Sequence, residues 1–233
     1  MKVLAGSLLL AMATTVCANE VQIDFGYFDS PKDQGEKFVA TLPAKLALSG
    51  FSLAGKRIDL GGQWRVAQSG YDLEAVRDGA LSSRSAATGY MLLEREVADH
   101  ALELLFVSMS LSSRYQDEIL SRSPAYCQRD ARYAFQDIQS DTTRRVSCVA
   151  IVQSQLPEAV PAAAANKATG LAQFVRDNAI YAPGSEIYEQ EMFLSRNSNH
   201  FYVYRAKPVL GDGIEPFKRE VLQLRDNVQQ NFF

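Results

Sequence analysis

The residues of this chain that could do chemistry are Cys127 and Cys148, His100 and His200, Ser52, and an aromatic and acidic stretch from Tyr181 to Tyr204. Gly50-Phe51-Ser52-Leu53-Ala54 comes near the G-x-S-x-G nucleophile elbow, but Ala54 stands where glycine belongs. That elbow needs a strand-to-helix turn in a parallel sheet, followed by an acid and then a histidine. His100 and His200 both follow Ser52, yet the surrounding alternation is that of antiparallel strands. Residues Gly50 to Lys56 also match G-x-x-x-x-G-K, but Arg57 follows where a magnesium-binding Ser or Thr is required. Neither match carries its chemistry, and no catalytic residue is assigned.

Neither histidine shows the spacing of a metal ligand pair, so no metal and no cofactor is expected. Glu94, Glu96 and Asp99 form one acidic group, and Glu186, Glu189 and Glu191 another. Glycosidases place two carboxylates about a bond. Acids two apart on a strand share a face, which is commonly the solvated one. Tyr181, Tyr188, Phe193, Phe201, Tyr202 and Tyr204 crowd the same stretch. Some must face the core while others face outward, and outward tyrosines suit a binding surface. Tyr188, Tyr202 and Tyr204 are the candidate residues of such a surface.

Where the protein works bears on its cysteines. Lys2 precedes an apolar stretch from Val3 to Ala13, and Val16-Cys17-Ala18 ends in small side chains. This is the pattern of a secretory signal peptide over residues 1–18, with cleavage after Ala18. Lipid attachment at Cys17 would ask for Leu and a small residue where Thr14 and Val16 stand. The apolar stretch is shorter than the roughly 20 residues of a spanning helix, and no later run approaches that length. A periplasmic or secreted location follows as the expectation, with no transmembrane span in the mature chain. Cleavage removes Lys2 and Cys17, so three cysteines become an even pair and the net charge falls one unit below −3. In an exported protein Cys127 and Cys148 read as a disulfide. The pair closes a loop of about 20 residues, worth about 3 kcal/mol in chain-entropy terms. The enclosed segment is charged and poor in aliphatic residues, so it has little core to hold it.

The elements that position these residues follow from periodicity. Arg57–Leu60 and Trp64–Ala67 alternate and are joined through Gly61-Gly62, a hairpin signal. Thr88–Val97 with Leu102–Ser112, and Glu186–Leu194 with His200–Lys207, read as two further hairpins. Arg145–Gln153 is an apolar strand. Pro161–Asn178 and Glu215–Gln230 carry apolar residues at helical spacing. Ser30-Pro31-Lys32-Asp33 looks like a helix start, but Gly35 and Pro43 speak against a long helix.

The expectation is a single α+β domain at residues 51–233. It is a mostly antiparallel sheet built from hairpins, with amphipathic helices packed on one face. Residues 19–50 are expected to form a loosely ordered N-terminal segment. With 24 basic against 27 acidic residues the chain lacks the basic footprint of a nucleic-acid binder. The expected function is a non-catalytic binding or cell-envelope accessory protein, whose partner is an envelope protein, a glycan or a small ligand. The alternative is a periplasmic hydrolase whose active site the sequence does not display.

Overall fold

Alternating apolar and polar residues build a sheet-dominated α+β chain. The computed structural model describes residues 20–78, 82–97, 100–111, 127–142, 145–155, 181–182, 184–196 and 199–233. The elements are β1 (Glu20–Ile23), α1 (Pro31–Thr41), β2 (Ala47–Leu53), β3 (Lys56–Asp78), β4 (Ser82–Glu96) and β5 (Leu102–Ser110). They continue with β6 (Phe135–Thr142), β7 (Arg145–Gln155), β8 (Glu186–Arg196), β9 (Asn199–Pro208) and α2 (Ile214–Asn231). The strands form one nine-stranded sheet in the order β1-β2-β3-β4-β5-β9-β8-β7-β6. Only β1 and β2 run parallel; the other neighbours are antiparallel.

The N-terminal stretch departs from expectation. Residues 20–53 supply β1, α1 and β2, and Ile23, Phe38, Leu42 and Leu48 are completely buried in the main core. Their pattern is weak in sequence because the buried residues are spread across three short elements. Ser30 caps α1, accepting from the Asp33 backbone N–H at 3.2 Å while the Asp33 carboxylate accepts from the Ser30 N–H at 2.9 Å. Gly35 sits within the helix because a side chain there would collide with the Tyr71 ring of β3.

The pair Gly61-Gly62 does not turn the chain. β3 runs unbroken through both glycines, and the turn into it falls at Ala54-Gly55. All four residues take positive φ, which is why the sequence reads equally well as a turn at either place. At Gly61-Gly62 the result is a bulge, across which the β2–β3 register jumps from Leu48↔Trp64 to Gly50↔Asp59. A further strand, β6, pairs with β7 along the sheet's edge. Its Gln136, Asp137 and Gln139 hid it in the charged segment, since edge strands commonly carry polar residues.

The hairpins β4–β5 and β8–β9, the strand β7 and the helix α2 lie close to where periodicity puts them. The helix expected over Pro161–Asn178 lies outside the described residues, as do residues 1–18. The main core gathers Trp64, Leu105, Val107 and Val203 from strands with Phe38 of α1 and Phe217, Val221 and Val228 of α2. Trp64 is the core anchor that alternation implies. Among the described residues no helix is long and apolar enough to cross a membrane.

Candidate functional site

Strands β5, β7, β8 and β9 send alternate side chains to the main core and to smaller clusters on the opposite side of the sheet. Leu105 and Val107 of β5 join the main core, whereas Leu104 and Phe106 join a second cluster with Ile187 and Tyr204. On β9, Phe201 and Val203 go to the main core and Tyr202 and Tyr204 to the opposite side. The parity of β8 separates the three candidate tyrosines. Tyr188 packs in the main core, its ring stacked on Phe217 of α2 at 5.6 Å. Tyr202 and Tyr204 share the other face, which we call the outer face, with Glu189, Glu191 and Phe193 of β8.

The outer face brings acids and rings together. Glu191 stands opposite Tyr204 on β9 and Ala150 on β7. The Glu189 carboxylate accepts from the Tyr204 hydroxyl and, at 2.6 Å, from the Ser154 hydroxyl. Burial, reinforced by the charge of Glu189, pushes the Glu191 carboxyl up to about 7. Burial and Glu191 likewise raise the Tyr202 phenol, and burial, Glu189 and neighbouring groups raise that of Tyr204. Phe106 links Tyr90 of β4 to Tyr202, with ring centroids 6.2 Å apart on each side. All three rings are half-buried.

Cys127 and Cys148 lie at disulfide distance, their Cα atoms 5.5 Å apart, and with Val146, Ala150 and Phe193 they form a third cluster. Tyr133, Ile138 and Tyr202 pack against it. The bridge therefore ties the Cys127 loop to β7 beside the aromatic row. Tyr181 closes the other end, its hydroxyl 2.6 Å from the Leu102 carbonyl oxygen and 3.1 Å from that of Ala206.

The core face of the same strands holds charges of another kind. Glu103, fully buried on β5, accepts from Arg95 at 2.6 Å and from Arg205. Both arginines also reach Glu220 of α2, Arg95 at 3.1 Å. Arg95 lies over the Trp64 ring at 4.4 Å and Arg205 over Phe217 at 4.9 Å. Arg95 further donates to the Gly61 carbonyl at 3.0 Å, so the β3 bulge completes this cluster.

The other sequence candidates scatter. Ser52 lies within β2, paired with Gln22 and Arg57, and the stretch from Gly50 to Lys56 is strand and hairpin turn rather than elbow or phosphate loop. His100 is exposed beside Glu96, and Glu94 pairs with Arg65 at 2.7 Å. Glu186 is exposed, apart from the half-buried Glu189 and Glu191, and Asp99 lies outside the described residues. His200 and Ser110 meet across β5 and β9, Nδ1 to Oγ 2.9 Å, and the His200 backbone N–H donates to the same oxygen at 3.1 Å. Sequence reasoning missed this pair, and it treated Glu189 and Glu191 as background. The available signal was parity, since both acids share a strand face with Ile187 and Phe193. Among the described residues no group of three or more His, Cys, Asp or Glu is placed to hold a metal.

Comparison with protein-family models, with curated proteins and with solved structures gives no match.

Proposed function

We propose that this is an exported, non-catalytic binding or cell-envelope accessory protein whose ligand lies against the outer face of β5, β8 and β9. In this reading the signal segment is removed after Ala18, the protein works in the periplasm or outside the cell, and both helices pack on the opposite face of the sheet. The observation that carries the reading is the row Tyr90–Phe106–Tyr202 beside Glu189 and Glu191. Rings of this kind stack on the C–H faces of sugars, and carboxyl groups bond to their hydroxyls. A glycan is therefore the ligand class the chemistry suits best, ahead of an envelope protein. The disulfide supports the exported location, because such bonds persist in oxidising compartments.

A periplasmic hydrolase is the second reading, and two observations favour it. Glu191, pushed up to about 7, has the acidity of a general acid or base at neutral pH. Ser110 and His200 make a hydroxyl–imidazole contact.

One set of experiments tests both. Cello-, chito- and malto-oligosaccharides titrated into the protein by calorimetry are expected to give saturable binding with one of them. Tyr202→Ala is expected to weaken that binding by about tenfold, the cost of a stacked ring at a binding site, while Tyr188→Phe leaves it unchanged. No binding, or equal loss in both variants, rejects the outer face as a glycan site. Turnover of nitrophenyl esters or glycosides that disappears in Ser110→Ala or Glu191→Gln would establish the hydrolase instead.

A further inference from the structure

On the core side of the sheet the acids are paired with arginines: Glu103 and Glu220 with Arg95 and Arg205, and Asp137 with Arg225. The outer face has no such arrangement. Glu189 accepts from hydroxyls, those of Tyr204 and Ser154. Among the described residues Glu191 accepts no hydrogen bond and makes no ion pair. It is half-buried, and its carboxylate keeps contact with solvent.

The register shows what surrounds this carboxylate. One row across the sheet runs Phe106–Tyr204–Glu191–Ala150, and the next carries Tyr202 beside Phe193. Tyr133, half-buried in the loop after Cys127, packs against the same cluster as Tyr202. The titratable groups that feel Glu191 are Glu189 on its own strand, Tyr202 and Tyr204 on β9, and Tyr133 from the loop. From β7 only Ala150 stands opposite it. Arg132, next to Tyr133, is held by Asp130 at 2.6 Å. A negative charge set among aromatic rings, without a basic neighbour, is complementary to an organic cation. The ring faces attract such a group through their quadrupoles and the carboxylate attracts it by charge. A metal ion suits the place less, because it wants more oxygen ligands than two carboxylates supply.

We propose that the outer face holds an alkylammonium group of its ligand against Glu191, among the rings of Tyr202, Phe106 and Tyr133. The inference rests on the reading of this face as a ligand site and narrows the ligand to a positively charged one, such as a glycan bearing ammonium groups. Choline and 3,3-dimethylbutan-1-ol test it, because they share one shape and differ in N+ against C. In NMR titrations of the full protein at pH 8.5, choline is expected to shift the signals of Glu191, Tyr202 and Phe106 saturably. It is expected to bind about tenfold more tightly than the alcohol. Choline keeps its charge at every pH, whereas Glu191 must give up a proton to pair with it. The preference is therefore expected to fall to about threefold at pH 5.5, where Glu191 is neutral. Glu191→Gln is expected to show the lower preference at both pH values, and the wild-type comparison stands even where that variant folds poorly. Equal affinity of the two probes, a preference that ignores pH, or shifts elsewhere would overturn the proposal. Oligosaccharides that bind where choline does not would overturn it and leave the glycan reading in place. Choline binding with no oligosaccharide binding would support it and remove the glycan reading.

Discussion

The central strands β5, β8 and β9 carry charge on both faces, and the two faces treat it in opposite ways. On the core face Glu103 and Glu220 meet Arg95 and Arg205, each guanidinium bonded to both carboxylates. Burial pushes the Glu220 carboxyl up, but Arg205, Lys207 and Arg95 outweigh it and hold the group below the usual range. On the outer face Glu189 and Glu191 meet phenols and each other, and Glu191 rises to about 7. Burial alone therefore does not set the behaviour of an acid here; the partner does. A carboxylate paired with arginines locks α2 onto the sheet. One set among tyrosines is poised to change its protonation near neutral pH, which suits the binding role proposed for that face.

The sharpest way to break this contrast is to remove the central acid of the core face. Glu103→Ala leaves Arg95 and Arg205 sharing Glu220 alone, and Arg205 is almost wholly buried. Loss of one partner from a buried ion network costs about 3–5 kcal/mol. Urea unfolding of the variant at neutral pH is expected to show a loss of this size. A loss below about 1 kcal/mol would show that the cluster is decoration on a core held by Trp64 and Phe217.

The outer face is expected to give a smaller effect of opposite sign. A carboxyl whose folded pKa lies above its unfolded value binds its proton more tightly in the folded state. Its favourable contribution is therefore present at low pH, declines as pH rises from about 4.5, and is gone once pH passes about 7. Glu191→Gln keeps the neutral form at every pH. It is expected to raise stability at pH 8 by about 2 kcal/mol, after allowance for partial contact with solvent, and to change little at pH 4. Glu220 works the other way, since its lowered pKa makes its contribution one that acid removes. Unfolding curves of wild type and Glu191→Gln at both pH values check the sign. A variant less stable at pH 8 would place a stabilising charge where the outer face has none.

Much of the scaffold under this contrast is legible in the chain, and the reasons differ by element. The β8–β9 hairpin declares itself by alternation on both sides of a polar loop, and α2 by apolar residues at helical spacing. Ser30 and Asp33 announce the start of α1, but only Tyr71 of β3 explains Gly35. The cysteine pairing is legible because the expected loss of Cys17 leaves an even number. The electrostatic sites are hidden for one reason: alternation shows that two residues share a face, not which face is covered. Glu189 and Glu191 thus look like a wet edge until β7 and β9 flank them. Glu103 and Arg205 are adjacent to that problem and worse, since their partner Glu220 comes from a helix more than a hundred residues beyond β5. Tyr188 illustrates the same gap, being one register position from the outer face and buried in the core.

Gln190 offers the finest test of the contrast, because it puts an unsatisfied polar group on the face where charges are otherwise paired. It lies on β8 with no exposure, and neither its Oε1 nor its Nε2 has a hydrogen-bond partner. Its neighbour across β9 is Arg205, whose Nε and Nη2 are engaged by Glu103 and Glu220. The amide therefore bears its desolvation cost without recompense from the ion cluster beside it. Methionine matches its length, packs flexibly and carries no strong polar atom. Gln190→Met is expected to stabilise the fold by about 1 kcal/mol, equally at pH 4 and pH 8, because no proton is exchanged. Chemical unfolding at the two pH values measures both parts. A stabilisation that appears at only one pH would mean that Gln190 is coupled to the titration of Glu220 through Arg205, and that the core-face network extends one residue further than its hydrogen bonds.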